Sequence, residues 1–97
     1  MRVNFSHHPR GNPSCVTEAE LVFEEGEPLA GAKLVGFTVW RREDGRLFVT
    51  VPSRAFGFGA DRKYFEFVRP LERDHAPIRA IKQVILDAYA QREARAA

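Results

Sequence analysis

The pentapeptide Arg54-Ala55-Phe56-Gly57-Phe58 sets an arginine ahead of two phenylalanines at alternate positions. Flat rings spaced this way on a strand can stack on nucleic-acid bases, while the guanidinium pairs with a phosphate. More cations follow the same chemistry. Arg62 and Lys63 close the segment, Arg41, Arg42 and Arg46 flank the sequence RREDGR, and Arg79 and Lys82 stand three apart in a helical stretch, on one stripe. Most of these are arginine, whose planar fork suits bidentate phosphate contact better than the lysine point charge does. The net charge of +2 conceals an asymmetry: residues 1–27 carry −3, and residues 28–97 carry +5. Acidic neighbours in RREDGR and PLERDH leave open a blander reading, a solvated and salt-bridged surface.

Other chemistries find little material. His7 and His8 are adjacent, so a strand turns them to opposite faces; His75 is remote and Cys15 is alone, which leaves no zinc-like ligand spacing. Glu18 and Glu20 could share one strand face as paired carboxylates, but with Glu24, Glu25 and Glu27 close by they fit an acidic rim. Ser53 has no histidine or lysine partner in a recognisable motif, and no glycine loop opens a helix to hold phosphate. The expectation is a protein without catalytic residues, bound metal, cofactor or small-molecule substrate.

The elements that must position the cations follow from periodicity. Ninety-seven residues suffice for one domain, expected to span 1–97, and 44% apolar composition is enough for one modest core without disulfides. Residues 1–8 suit an edge strand, followed by a turn in HPRGNPS. Residues 16–24 alternate, with Thr17, Ala19, Leu21 and Phe23 on one face. In residues 33–42, alternation points Val35, Phe37 and Val39 one way and Leu34, Thr38 and Trp40 the other. Glu43-Asp44-Gly45 signals a hairpin turn, because Asp-Gly readily supplies positive φ. The return strand, residues 46–52, turns Leu47, Val49 and Val51 inward. Two glycines and an aspartate among residues 57–61 argue for a loop after Pro52, with Phe56 and Phe58 either tucked beneath it or offered to a partner. Residues 63–70 make a further strand with Phe65 and Phe67 on one face.

From Asp74 onward Ile78, Ile81, Ile85, Ala88 and Tyr89 recur at helical spacing, with Asp74 as cap and the tail past Gln91 expected to fray. The fold class is therefore α+β: a four- to five-stranded antiparallel meander sheet with one C-terminal helix packed on one face. In such a meander the two charged turns lie at opposite ends of the strand at 46–52, roughly 20 Å apart.

Arg54, Phe56, Gly57 and Phe58 match four positions of the RNA-recognition-motif signature, but that fold needs a strand and a helix before it, and nothing ahead of Arg54 suggests a helix. A broader likeness runs from Leu34 to Tyr89. The strand LVGFTVW, the turn DG, the segment RLFVTVPSR, an aromatic strand ending RP and the helix IRAIKQVILDAY together resemble the stage V sporulation protein G (SpoVG) family of septation regulators. Gly45, Leu47, Phe48, Val49, Pro52, Ser53 and Arg54 fit that family's pattern in order and spacing. The loop AFGFGADRK is richer in aromatics and glycine, and poorer in basic residues, than the family's. The resemblance implies a dimeric, non-catalytic, nucleic-acid-binding regulator of bacterial gene expression. DNA or RNA would be the partner, contacted through Arg41, Arg42, Arg46, Arg54, Arg62, Lys63, Arg79 and Lys82, with Phe56 and Phe58 as candidate stacking residues.

The rival is a protein-interaction module. One helix covers one sheet face, so Trp40, Phe48 and Leu34 on the other face call for a mate, a second copy or another protein. Under this alternative the aromatic loop and the acidic strand dock a protein, and the arginines only solubilise. No apolar run approaches the roughly 20 residues that span a bilayer, and MRVNFSHHPRGNPS lacks the apolar core of a secretory signal, so the expected location is the cytoplasm.

Overall fold

The computed structural model describes residues 1–6 and 12–96. His7, His8, the end of the first expected strand and the start of the turn after it lie outside the described residues. Four strands follow one another antiparallel in chain order: β1 (Arg2–Ser6), β2 (Cys15–Val22), β3 (Lys33–Arg41) and β4 (Leu47–Thr50). Among the described residues, strands β5 (Ser53–Phe56) and β6 (Lys63–Glu66) pair only with each other. The helix α1 (Ala76–Ala96) lies over one face of the four-stranded sheet, against β4 and β1. The architecture is α+β, a meander with a single C-terminal helix. Among the described residues no helix is long and apolar enough to cross a membrane.

Local chemistry accounts for the joints. Gly45 has φ +90°, its N–H donates to the Arg42 carbonyl at 2.9 Å, and the Arg46 N–H is held by the Asp44 carboxylate at 2.9 Å. The Asp74 carboxylate accepts the Ala76 N–H at 2.9 Å, satisfying an otherwise orphaned donor at the start of α1. The helix is continuous from Ala76 to Ala96. The N-terminal ammonium sits 2.6 Å from Glu27 and 3.1 Å from Glu24, tying down the start of β1. Hydrogen bonding to Glu27 holds that ammonium above its usual pKa and, reciprocally, holds the Glu27 carboxyl below its own.

The core lies between the sheet and α1: Ala19, Leu21, Phe37, Val39, Val49, Val51 and Ile85 are buried, with Leu34, Leu47, Ile78, Ile81 and Leu86 packed around them. Thr17 is buried among them, its hydroxyl donating to the Ser6 carbonyl at 3.1 Å. Strict alternation misplaces two residues of β3. Leu34 packs against the core, whereas Val35 is 54% exposed. The register explains it: Leu21 pairs with Leu34 and Ala19 with Phe37, so Val35 and Gly36 together face Glu20 in a β-bulge that inverts the phase.

Gly36 permits that bulge. Its φ is +104°, and a Cβ there would stand 3.0 Å from the Pro52 Cβ. Gly36→Ala is expected to lower stability by roughly 1–3 kcal/mol through backbone strain and crowding of Pro52. Urea denaturation measures it, and a neutral substitution would show that the bulge is absent.

Candidate nucleic-acid interface

Ser53–Phe56 is a strand, not the beginning of a loop. Its pairing partner lies ten residues downstream, and the chain has room to turn because the glycines fall after Phe56. Gly57, at φ +83°, makes that turn; a Cβ there would meet the Asp61 carbonyl oxygen at 2.7 Å. A short 3₁₀ turn at Gly59–Asp61 then leads into β6, which ends at Glu66 and does not continue to Pro70. At its base the hairpin is held to the body by the Phe67 N–H, which donates to the Pro52 carbonyl at 2.8 Å, and by Val68, half-buried against the core.

The register sorts side chains onto two faces. Arg54 pairs with Phe65 and Phe56 with Lys63, so these four share one face with Phe67. Phe56 and Phe65 meet edge to face with centroids 6.3 Å apart, and Phe65 and Phe67 tilt together at the same 6.3 Å. These rings are 46%, 46% and 59% exposed, so Phe56 is not tucked beneath a loop. Phe58, at 92%, projects freely from the turn and joins no ring cluster. The Arg54 guanidinium lies 5.0 Å from the Phe56 centroid, and Arg69 lies 4.8 Å from that of Phe65. Behind, Arg62 covers Tyr64 at 5.3 Å. Three of these cation–ring contacts fall within Arg54–Arg69.

Charge availability matters as much as placement. Among the described residues the side-chain ion pairs are Lys33–Glu20 and Arg46–Asp44, so Arg54, Arg62, Lys63 and Arg69 face solvent without a carboxylate partner. The salt-bridged surface allowed by RREDGR and PLERDH is realised only at Arg46.

The other expected residues scatter. Arg41, Arg42 and Arg46 sit at the β3–β4 turn, at the opposite end of β4 from the hairpin. There the Arg42 guanidinium covers Phe48 at 4.4 Å, and Arg41 donates weakly to the Gly45 carbonyl at 3.5 Å. Arg79 and Lys82 lie in the first turns of α1 and touch no hairpin residue by hydrogen bond, ion pair or ring contact. Thus Arg54, Phe56 and Lys63 come together on one face, while Arg62 and Phe58 sit behind it and at its tip. Sequence reasoning missed Phe65, Phe67 and Arg69 as members of the face; their signal was the period-two alternation of KYFEFVR against SRAF.

The remaining sheet surface is mixed. Trp40 and Phe48 pair across β3 and β4, and the Trp40 indole donates to the Thr50 hydroxyl at 2.8 Å, but Glu18, Glu20 and Thr38 share that face. Leu34 does not belong to it. Among the described residues no group of three or more His, Cys, Asp or Glu is placed to hold a metal ion. Comparison with family models, curated proteins and solved structures returns no match.

Proposed function

We propose that this chain is a small non-enzymatic regulator of bacterial gene expression that binds nucleic acid from the cytoplasm as a homodimer, through the Arg54–Phe56–Lys63–Phe65–Phe67–Arg69 face. The observation that carries the proposal is the row of three exposed rings at 6.3 Å intervals, framed by three cations that have no carboxylate partner. Rings can stack only on bases that are not already stacked in a duplex, so the face favours single-stranded DNA or RNA. The resemblance of residues 34–89 to the SpoVG septation and sporulation regulators supports the regulatory role. A two-stranded sheet is marginal alone in water, and the Trp40–Phe48 pair is only half-buried; both support a second copy.

The test is fluorescence anisotropy of labelled single-stranded RNA, single-stranded DNA and duplex DNA, with sedimentation run in parallel. Three phosphate contacts per protomer give a log–log salt slope near −2, about a 20-fold loss of affinity between about 50 and about 200 mM salt. Docking of a protein on the same rings would vary little over that range. Absence of binding by the folded protein at low salt would overturn the nucleic-acid reading, and a monomer at micromolar concentration would remove the dimer from it.

A further inference from the structure

At the other edge of the sheet a groove of about 530 Å³ runs between β1 and the C-terminal half of α1. Its lining includes Arg2, Asn4, Phe5, Gln91, Arg92 and Arg95, and among the described residues no carboxylate. None of the three guanidiniums makes an ion pair with a described residue. We infer that this groove is a second anion site, taking a phosphate-bearing ligand.

Three features build it. First, Arg92 is placed by packing: its guanidinium lies 5.5 Å from the Phe5 ring, which is held edge to face against the buried Tyr89 at 5.7 Å. Less rotamer freedom is then lost when it binds. Second, Arg95 follows Arg92 by three residues and so shares its helix stripe, while Arg2 reaches in from the strand. Third, residues from both faces of β1 line the groove, which therefore follows the strand's free edge, where outward backbone N–H groups have no strand partner among the described residues. Guanidiniums, amides and edge N–H groups are donors, and three fixed positive charges match a multiply charged phosphate better than one carboxylate.

The site is independent of the hairpin. β1 and β4 are opposite edges of the sheet, three strand spacings or roughly 14 Å apart, and the hairpin continues from β4. The same chemistry is offered by a free phosphorylated solute and by the backbone of a nucleic acid held elsewhere on the protein.

The experiment is a titration with sodium pyrophosphate at low salt, with sodium chloride matched for ionic strength, following backbone amide resonances of residues 2–5 and 91–95. A parallel arm uses a short single-stranded oligonucleotide. Saturable shifts with pyrophosphate, weakened at least tenfold in Arg92→Gln/Arg95→Gln, are the expected result. Arg2→Gln, which leaves the Arg92–Phe5 packing intact, is expected to weaken binding in the same direction. Shifts of these amides by the oligonucleotide as well identify backbone phosphate as a ligand; shifts by pyrophosphate alone identify a free phosphorylated solute. No saturable shift with either probe, or shifts unchanged in all three arginine substitutions, would overturn the inference. Hairpin variants that abolish strand binding leave the pyrophosphate arm intact, so the two sites fail separately.

Discussion

Phe37→Ala is expected to cost about 3–5 kcal/mol, the range for truncating a large buried ring that leaves a cavity behind. Phe37 has no solvent exposure, sits in the central strand β3 opposite Ala19, and belongs to the cluster closed by Ile85 of α1. A domain of this length has on the order of 5–15 kcal/mol in total, so this one substitution removes much of it. Val35→Ala, two residues away, is expected to stay within about 0.5 kcal/mol, because the bulge at Gly36 turns Val35 outward. Uninterrupted alternation would have made both costly. Urea denaturation of the two variants therefore tests the core and the phase of β3 together. Equal losses would contradict the bulge, and a small loss at Phe37 would contradict the core.

The second large effect separates charge from stacking on the hairpin. Arg54→Ala with Arg69→Ala removes two phosphate contacts, and on a single strand the log–log salt slope should flatten by roughly 1.4. Phe56→Ala and Phe65→Ala should each weaken binding by about 1–3 kcal/mol per base lost, while leaving the slope unchanged. All four side chains are exposed, so sheet and helix remain folded and circular dichroism should not change. Phenylalanine variants that bind as well as the parent would mean that bases do not stack there. Arginine variants with an unchanged slope would place the phosphate contacts elsewhere.

The meander was legible because its signals are local. Asp44-Gly45 forces a turn, Leu47, Val49 and Val51 alternate into the core, and Ile78, Ile81, Ile85 and Tyr89 keep helical spacing beneath a carboxylate cap. What escaped depended on tertiary pairing. A bulge needs one residue too many opposite Glu20, which only the register with β2 displays. Ser53–Phe56 is short and followed by glycines, so by itself it gives no reason for a strand; its partner Lys63–Glu66 supplies one. The candidate site was legible as residue types and not as a surface. Arg54, Phe56 and Lys63 were identifiable, but their union with Phe65, Phe67 and Arg69 follows from pairing across the hairpin, and the Arg2–Arg92–Arg95 groove joins the two ends of the chain. Arg41, Arg42 and Arg46 looked equivalent to the hairpin cations in sequence. The structure sets them apart by place and pairing: they lie at the far end of β4 from the hairpin, and Asp44 pairs with Arg46, while Arg42 over Phe48 repeats the contact that Arg54 makes with Phe56.

The central claim is that the ringed face of the hairpin holds unpaired bases, and a titration of short single-stranded oligonucleotide followed on assigned phenylalanine ring protons tests it most directly. Stacking predicts upfield, saturable shifts at Phe56, Phe65 and Phe67, with the buried Phe37 unmoved as internal control. Saturable binding with those rings unshifted, and changes confined to α1 or the β3–β4 turn, would contradict it.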